Sequence, residues 1–188
     1  SRTVDPAEAP VALADVKAQL RVGHDDDDAL LGDLIGAATG AVEDYTGRAL
    51  VTQTWRFQTR RMTHREPFRV TRLPVSAITA VDYLDSAEIE QSAALDDFEL
   101  VQDDWAALFV PVKGRSWPVM PYRPDALRVT ATCGYGAASA VPQEIKTAIT
   151  MLVDFWFHRP ASMDPDAHAW PLPVQMLLAQ YRTGWVAG

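Results

Sequence analysis

His24 stands directly before four consecutive acids, Asp25 to Asp28. Histidine and carboxylate are the residue types that hold divalent cations. A calcium loop, however, needs alternating acids, a central glycine and a distant glutamate, and this run lacks that alternation. It sits instead where a helical pattern begins, and carboxylates there are stabilised by unpaired N–H groups and the helix dipole. The expectation is a cap or solvated acidic turn, with a metal-dependent hydrolase using Asp25–Asp28 as an alternative. His24, His64, His158 and His168 form no pair at HExxH spacing, and no serine stands in a GxSxG elbow. Cys133, the single cysteine, falls in an alternating strand pattern and is expected to be a small buried apolar residue. Gly134-Tyr135-Gly136 lacks the form of a phosphate loop and reads as a turn. Nothing assembles a nucleophile, a base and an orienting group. The expectation is therefore no enzyme, no cofactor and no metal.

Charge is distributed more tellingly. Arg56, Arg60, Arg61, Arg65, Arg69 and Arg72 are six of the 17 basic residues, opposed within their stretch only by Glu66. Residues 82–104 carry nine of the 25 acids, among them Asp96, Asp97, Asp103 and Asp104, and no Lys or Arg. Two solvated hairpins of unlike charge are one reading. Complementary faces of a head-to-tail contact are the sharper one, since heterologous contacts close into rings when the rotation permits and opposed charge fixes partner and register. Arg56, Arg60, Arg61, Arg65, Arg69, Asp96, Asp97, Asp103 and Asp104 are thus candidates for a subunit interface or a channel lining. A nucleic-acid-binding module using the Arg56–Arg72 hairpin is a further alternative, weakened by the acidic neighbour and by a net charge of −8.

The elements that must position these groups follow from periodicity. Residues 1–10 read as a loose arm. Leu13, Val16 and Leu20 mark a short helix entered through Ala12, a poor cap. Leu30, Leu31, Leu34, Ile35, Ala38, Val42 and Tyr45 mark a second helix that stops at Gly47. Gly32, Gly36 and Gly40 lie inside it, each costing about 1 kcal/mol against alanine, which suggests close approach of a neighbouring backbone. The period then falls to two. Strands are predicted over Leu50–Thr59, around Phe68 and Val70, around Ile78–Leu84, and over Phe98–Val101, Leu108–Val112 and Leu127–Cys133, with Thr79, Val81 and Tyr83 sharing one face of theirs. A helix returns at Pro142, striped by Ile145, Ile149, Leu152, Val153 and Trp156, and Pro173 opens a last one. Trp170 is expected in the chain's own core and Trp185 on a partner.

The fold expected is α+β. Residues 11–49 and 140–182 form one small helical bundle, 50–135 an antiparallel β insertion, and 1–10 and 183–188 flexible arms. No apolar stretch is long enough to span a bilayer and the first residues lack a signal-peptide pattern. A soluble chain made in the cytoplasm, with no membrane partner, is expected.

Several blocks resemble a known family. They are Leu13 to Val22, His24 to Leu31, Val42-Glu43-Asp44-Tyr45-Thr46-Gly47-Arg48-Ala49-Leu50 and Thr52-Gln53-Thr54-Trp55, followed in order by Arg72-Leu73-Pro74-Val75, Trp117-Pro118, Gly134-Tyr135-Gly136 and Val141 to Lys146. Together they resemble the head–tail connector (adaptor) proteins of tailed bacteriophages and phage-derived gene transfer agents, in their long form with a β insertion. The resemblance implies a dodecameric ring beneath the portal, extending the DNA channel without sequence-specific binding and offering a platform to neck or tail proteins. It implies assembly in the host cytoplasm and residence in the particle. It also implies a portal-binding C-terminal segment, here residues 172–188, with Leu172, Val174, Leu177, Leu178, Tyr181 and Trp185 as candidates. Removing that segment is expected to leave a soluble fold. Ala12 and the glycines of the second helix depart from the family pattern.

Overall fold

The computed structural model describes residues 1–60, 62–63, 66–159 and 170–183. They divide into two units. One joins Ser1–Pro6 to Thr52–Gly134, and the other joins Ala7–Val51 to the described part of Tyr135–Gly188. Together they make a mixed α+β chain with antiparallel sheets.

The second unit is helical: α1 (Leu13–Leu20), α2 (Asp28–Thr46), α3 (Gln143–His158) and α4 (Leu172–Ala179). Segments from the two ends of the chain meet because each helix has one apolar stripe that water excludes. Val16 of α1, Leu31, Ile35 and Val42 of α2, Ile145, Ile149 and Leu152 of α3, and Val174 and Leu178 of α4 form one core. α2 ends where Gly47 turns left-handed at φ +70°, the conformation that favours glycine.

Gly32, Gly36 and Gly40 do not fulfil the expectation of close approach. All three are exposed, and a Cβ added to any of them would meet nothing within 4 Å. They lie on the face of α2 opposite Leu31, Ile35, Ala38 and Val42, which do the packing.

The first unit holds two antiparallel sheets. The larger runs β1-β2-β8-β4-β5, with β1 Arg2–Val4, β2 Gln53–Thr59, β4 Val75–Leu84, β5 Glu90–Ser92 and β8 Leu127–Cys133. The smaller runs β3-β7-β6, with β3 Phe68–Val70, β6 Phe98–Gln102 and β7 Ala107–Pro111. Strand β1 departs from the expected loose arm: Arg2 pairs with Trp55 and Val4 with Thr54. The side chain of Gln102 stands in for a strand at the start of β4, accepting from the Val75 N–H at 3.2 Å and donating to its carbonyl at 2.8 Å.

Strand β4 also departs from simple alternation. Its pairing with β8 shifts between Val75 and Ala77 and again between Ile78 and Ala80. Each shift inserts a residue and rotates the strand, so Val75, Val81 and Leu84 are buried while Thr79 is exposed. Thr79 therefore does not share a face with Val81.

Candidate functional site

The acidic run before α2 is tied to α1. Lys17 reaches the carboxylates of Asp25 and Asp28 with its Nζ, at 2.6 Å each. Those hydrogen bonds raise the lysine pKa and lower that of Asp25 below the ordinary carboxylate range. Asp27 takes the N-cap position without a side-chain cap bond. The ammonium thus sits where a cation would, and no group of three or more metal-ligating side chains occurs among the described residues. His24 lies 3.7 Å from Asp26 and 3.8 Å from Asp27, and His158 lies 2.9 Å from Asp154. His64 and His168 fall outside the described residues. Cys133 is fully buried, and burial pushes its thiol up to about 12, so it carries no thiolate at neutral pH. Gly134 and Gly136 make the expected turn with φ of +124° and +126°.

The arginine stretch builds a groove. Strand β2 runs out along Arg56–Thr59 while β1 pairs only with its beginning, and residues from Met62 to Thr71, β3 among them, complete the lining. Between them lies an open groove of about 640 Å³, lined by Arg56, Arg60 and Arg69 with Glu66 as its acid and Phe57 and Pro67 as apolar wall. Two lining residues, Phe57 and Phe68, meet edge-on at 6.5 Å, and outside the groove the Arg72 guanidinium lies 4.6 Å over the Trp55 ring. Arg56, Arg60 and Arg69 are exposed. Arg61 and Arg65 fall outside the described residues.

The acidic stretch divides: Asp82, Asp85, Glu88 and Glu90 lie on the β4–β5 hairpin, and the acids from Asp96 to Asp104 lie on and around β6. Asp96 and Glu99 are exposed. Asp97 pairs with Arg115 at 3.0 Å. Asp103 accepts the N–H groups of Trp105 and Ala106, both at 2.8 Å, which lowers its pKa. Asp104 is exposed beside it. Large apolar side chains share this edge: Val101 is 54% exposed and Trp105 55%.

The C-terminal candidates separate. Val174 and Leu178 are fully buried. That corrects their assignment to a portal contact, because both face α4 into its own bundle. Leu177 and Tyr181 pack partly against the same core. Leu172 is exposed at 67%, and Met176, one turn on, at 69%. Sequence reasoning missed Met176. The helical spacing of Leu172 and Met176, out of phase with Val174 and Leu178, was the signal for it. Trp170 packs into its own unit as expected, 4.8 Å from the Tyr45 ring. Trp185 falls outside the described residues.

A clasp closes the helical unit. Thr183 N–H donates to the Thr46 carbonyl at 2.9 Å, and Arg48 Nε donates to the Tyr181 carbonyl at 2.7 Å. The Tyr181 hydroxyl donates to Glu144 at 3.0 Å; burial first, then that bond, pushes its pKa up to about 12. A Cβ on Gly47 would run into Thr183 Oγ1. Truncation from 172 therefore removes core and clasp together, contrary to the expectation that it spares the fold.

Residues 10–99 match the family model described as phage gp6-like head-tail connector protein. Among solved structures, a chain in the neck of an empty gene transfer agent (GTA) particle, computed with C6 symmetry, aligns with TM-score 0.75 and 23% identity over 99% of this chain and 98% of its own. A chain in the virion of a native GTA particle aligns with TM-score 0.74 and 23% identity, over the same shares. One in the neck of a native GTA particle computed with C12 symmetry aligns with TM-score 0.74 and 24% identity, again over 99% and 98%. No curated protein matches significantly. This chain is thus similar in sequence over residues 10–99 to a phage head-tail connector family, and in fold along nearly its whole length to chains of gene transfer agent particles.

Proposed function

We propose that this chain is a structural subunit that assembles as a ring beneath the portal of a phage-like particle, extends the DNA channel and joins the capsid to the neck or tail. The observation carrying this reading is the coincidence of a connector-family match over residues 10–99 with a fold aligning along 99% of the chain to neck proteins. The number twelve is carried over from a similar neck computed with C12 symmetry.

The mechanism is geometric. Each copy offers two unlike lateral faces, the arginine groove and the acidic β6 edge. The exposed Leu172–Met176 face of α4, with Leu177 and Tyr181, meets the portal, and Trp185 is a further contact candidate. Ring closure makes weak portal contacts multivalent, so they sum to a stable neck. DNA passes without base contacts, and the net charge of −8 suits a bore that must not hold it.

Co-sedimentation with the portal protein tests the reading. The wild-type chain is expected to travel with portal-containing particles, and Leu172→Glu with Met176→Glu to lose that association while keeping its melting temperature. Unchanged association would contradict the assignment of that face.

A further inference from the structure

We propose that neighbouring copies of this chain join head to tail through the two free edges of the three-stranded sheet, the acidic β6 edge of one copy seating in the arginine groove beside β3 of the next. This rests on the ring reading above and supplies its lateral joint.

The sheet order places the two faces. In β3-β7-β6 the central strand is β7, and β3 and β6 each pair only with it among the described residues. The groove lies between β3 and the outer part of β2, which supplies Arg56 and, just beyond its end, Arg60, while the acids of residues 96–104 lie on and around β6; groove and acids thus flank opposite edges of the three-stranded sheet. Strands are about 4.8 Å apart, so the edges stand about 10 Å apart and face away from each other. A copy cannot fill its own groove with its own rim. A second copy can, and the joint leaves one groove and one rim free to repeat it, which is the heterologous contact that closes into rings.

Charge and chemistry point the same way. Asp96 and Glu99 on the rim, and Arg56 and Arg60 in the groove, make no ion pair among the described residues. The rim also exposes Val101 and Trp105, and β6 reads Phe-Glu-Leu-Val-Gln, with neither the lysine nor the proline that blunts a solvent-facing edge. Such an edge is built to be covered. The groove offers a matching wall in Phe57 and Pro67 beneath its guanidinium groups. Opposed charges across the joint would fix its register and direction.

The experiment uses the full chain in the particles it assembles into, with ring occupancy read by averaged imaging of the neck. Arg56→Glu with Arg60→Glu is expected to lower occupancy roughly tenfold or more, since like charges then face each other. Asp96→Arg with Glu99→Arg is expected to do the same. Combining all four changes in one chain should restore the ring, and so should mixing the two defective chains, which then alternate. Thermal melts of the purified variants identify any that fail to fold; for such a chain the milder pair Arg60→Glu and Glu99→Arg replaces it. Loss without rescue in correctly folded variants overturns the joint. So does full occupancy after either reversal. Salt-sensitive DNA binding that the arginine reversal removes and the acid reversal cannot restore would assign the groove to phosphate and overturn it as well. Absence of any ring from wild-type particles would instead overturn the reading on which the joint rests.

Discussion

The two units are built on opposite economies of charge. The helical unit buries aliphatic side chains from four helices and closes on itself, with the Tyr181–Thr183 exit hydrogen-bonded back to the end of α2. The three-stranded sheet of the other unit has β3 and β6 as its edge strands, with the arginine groove lying between β3 and β2 and the acids of residues 96–104 on and around β6. The first arrangement holds a subunit together. The second, on the proposal above, is completed by a neighbouring copy. Substitutions in the helical unit should therefore change stability, and substitutions at the sheet edges should change assembly at constant stability.

The largest expected effect is in the helical core. Leu178→Ala or Val174→Ala removes a fully buried side chain and should cost about 2–5 kcal/mol in urea unfolding. Little change there would mean α4 is not part of the bundle. Gly47→Ala forces a left-handed residue to carry a Cβ against Thr183, at a cost of about 1–3 kcal/mol in the same assay. Gly36→Ala lies on the open face of α2 and should raise stability by about 0.5–1 kcal/mol, because glycine there loses more chain entropy than alanine. A destabilised Gly36→Ala would reveal a packed neighbour on that face.

The smallest effect is a pH dependence at two exposed turns of the sheet unit. Backbone N–H groups of Ile89 and Ala87 with the Gln91 amide lower the pKa of Asp85, and those of Trp105 and Ala106 lower that of Asp103. A carboxylate held below its unfolded pKa contributes stability that is complete above the unfolded value and is lost as pH falls through the folded one. Amide exchange at Ala87, Ile89, Trp105 and Ala106 should therefore be flat from pH 7 to about 4, after correction for intrinsic rates, and rise below that. A rise starting near neutrality would contradict these bonds.

The helical unit was largely legible because its signal is long. Stripes such as Ile145-Ile149-Leu152-Val153 persist over several turns, whereas the outward glycines of α2 misled, since a glycine pattern does not say which face it lies on. The sheet unit was less legible. Bulges in β4 break the alternation, and β1 and β5 are three residues each, too short for a period to register. Opposed charge was visible as composition. That a groove between β2 and β3 and the acids around β6 flank opposite edges of the three-stranded sheet was not, because strand order is set by pairing distant in sequence. The portal candidates mixed inward and outward faces of α4 until its phase was known: Val174 and Leu178 turn in, Leu172 and Met176 turn out.

The most direct measurement is the copy number and position of this chain in averaged images of the particle neck, with the chain tagged. A closed ring under the portal, of about twelve copies by its likeness to a C12 neck, is the expected result. A tag found away from the portal vertex, or present there as a single copy, would contradict it.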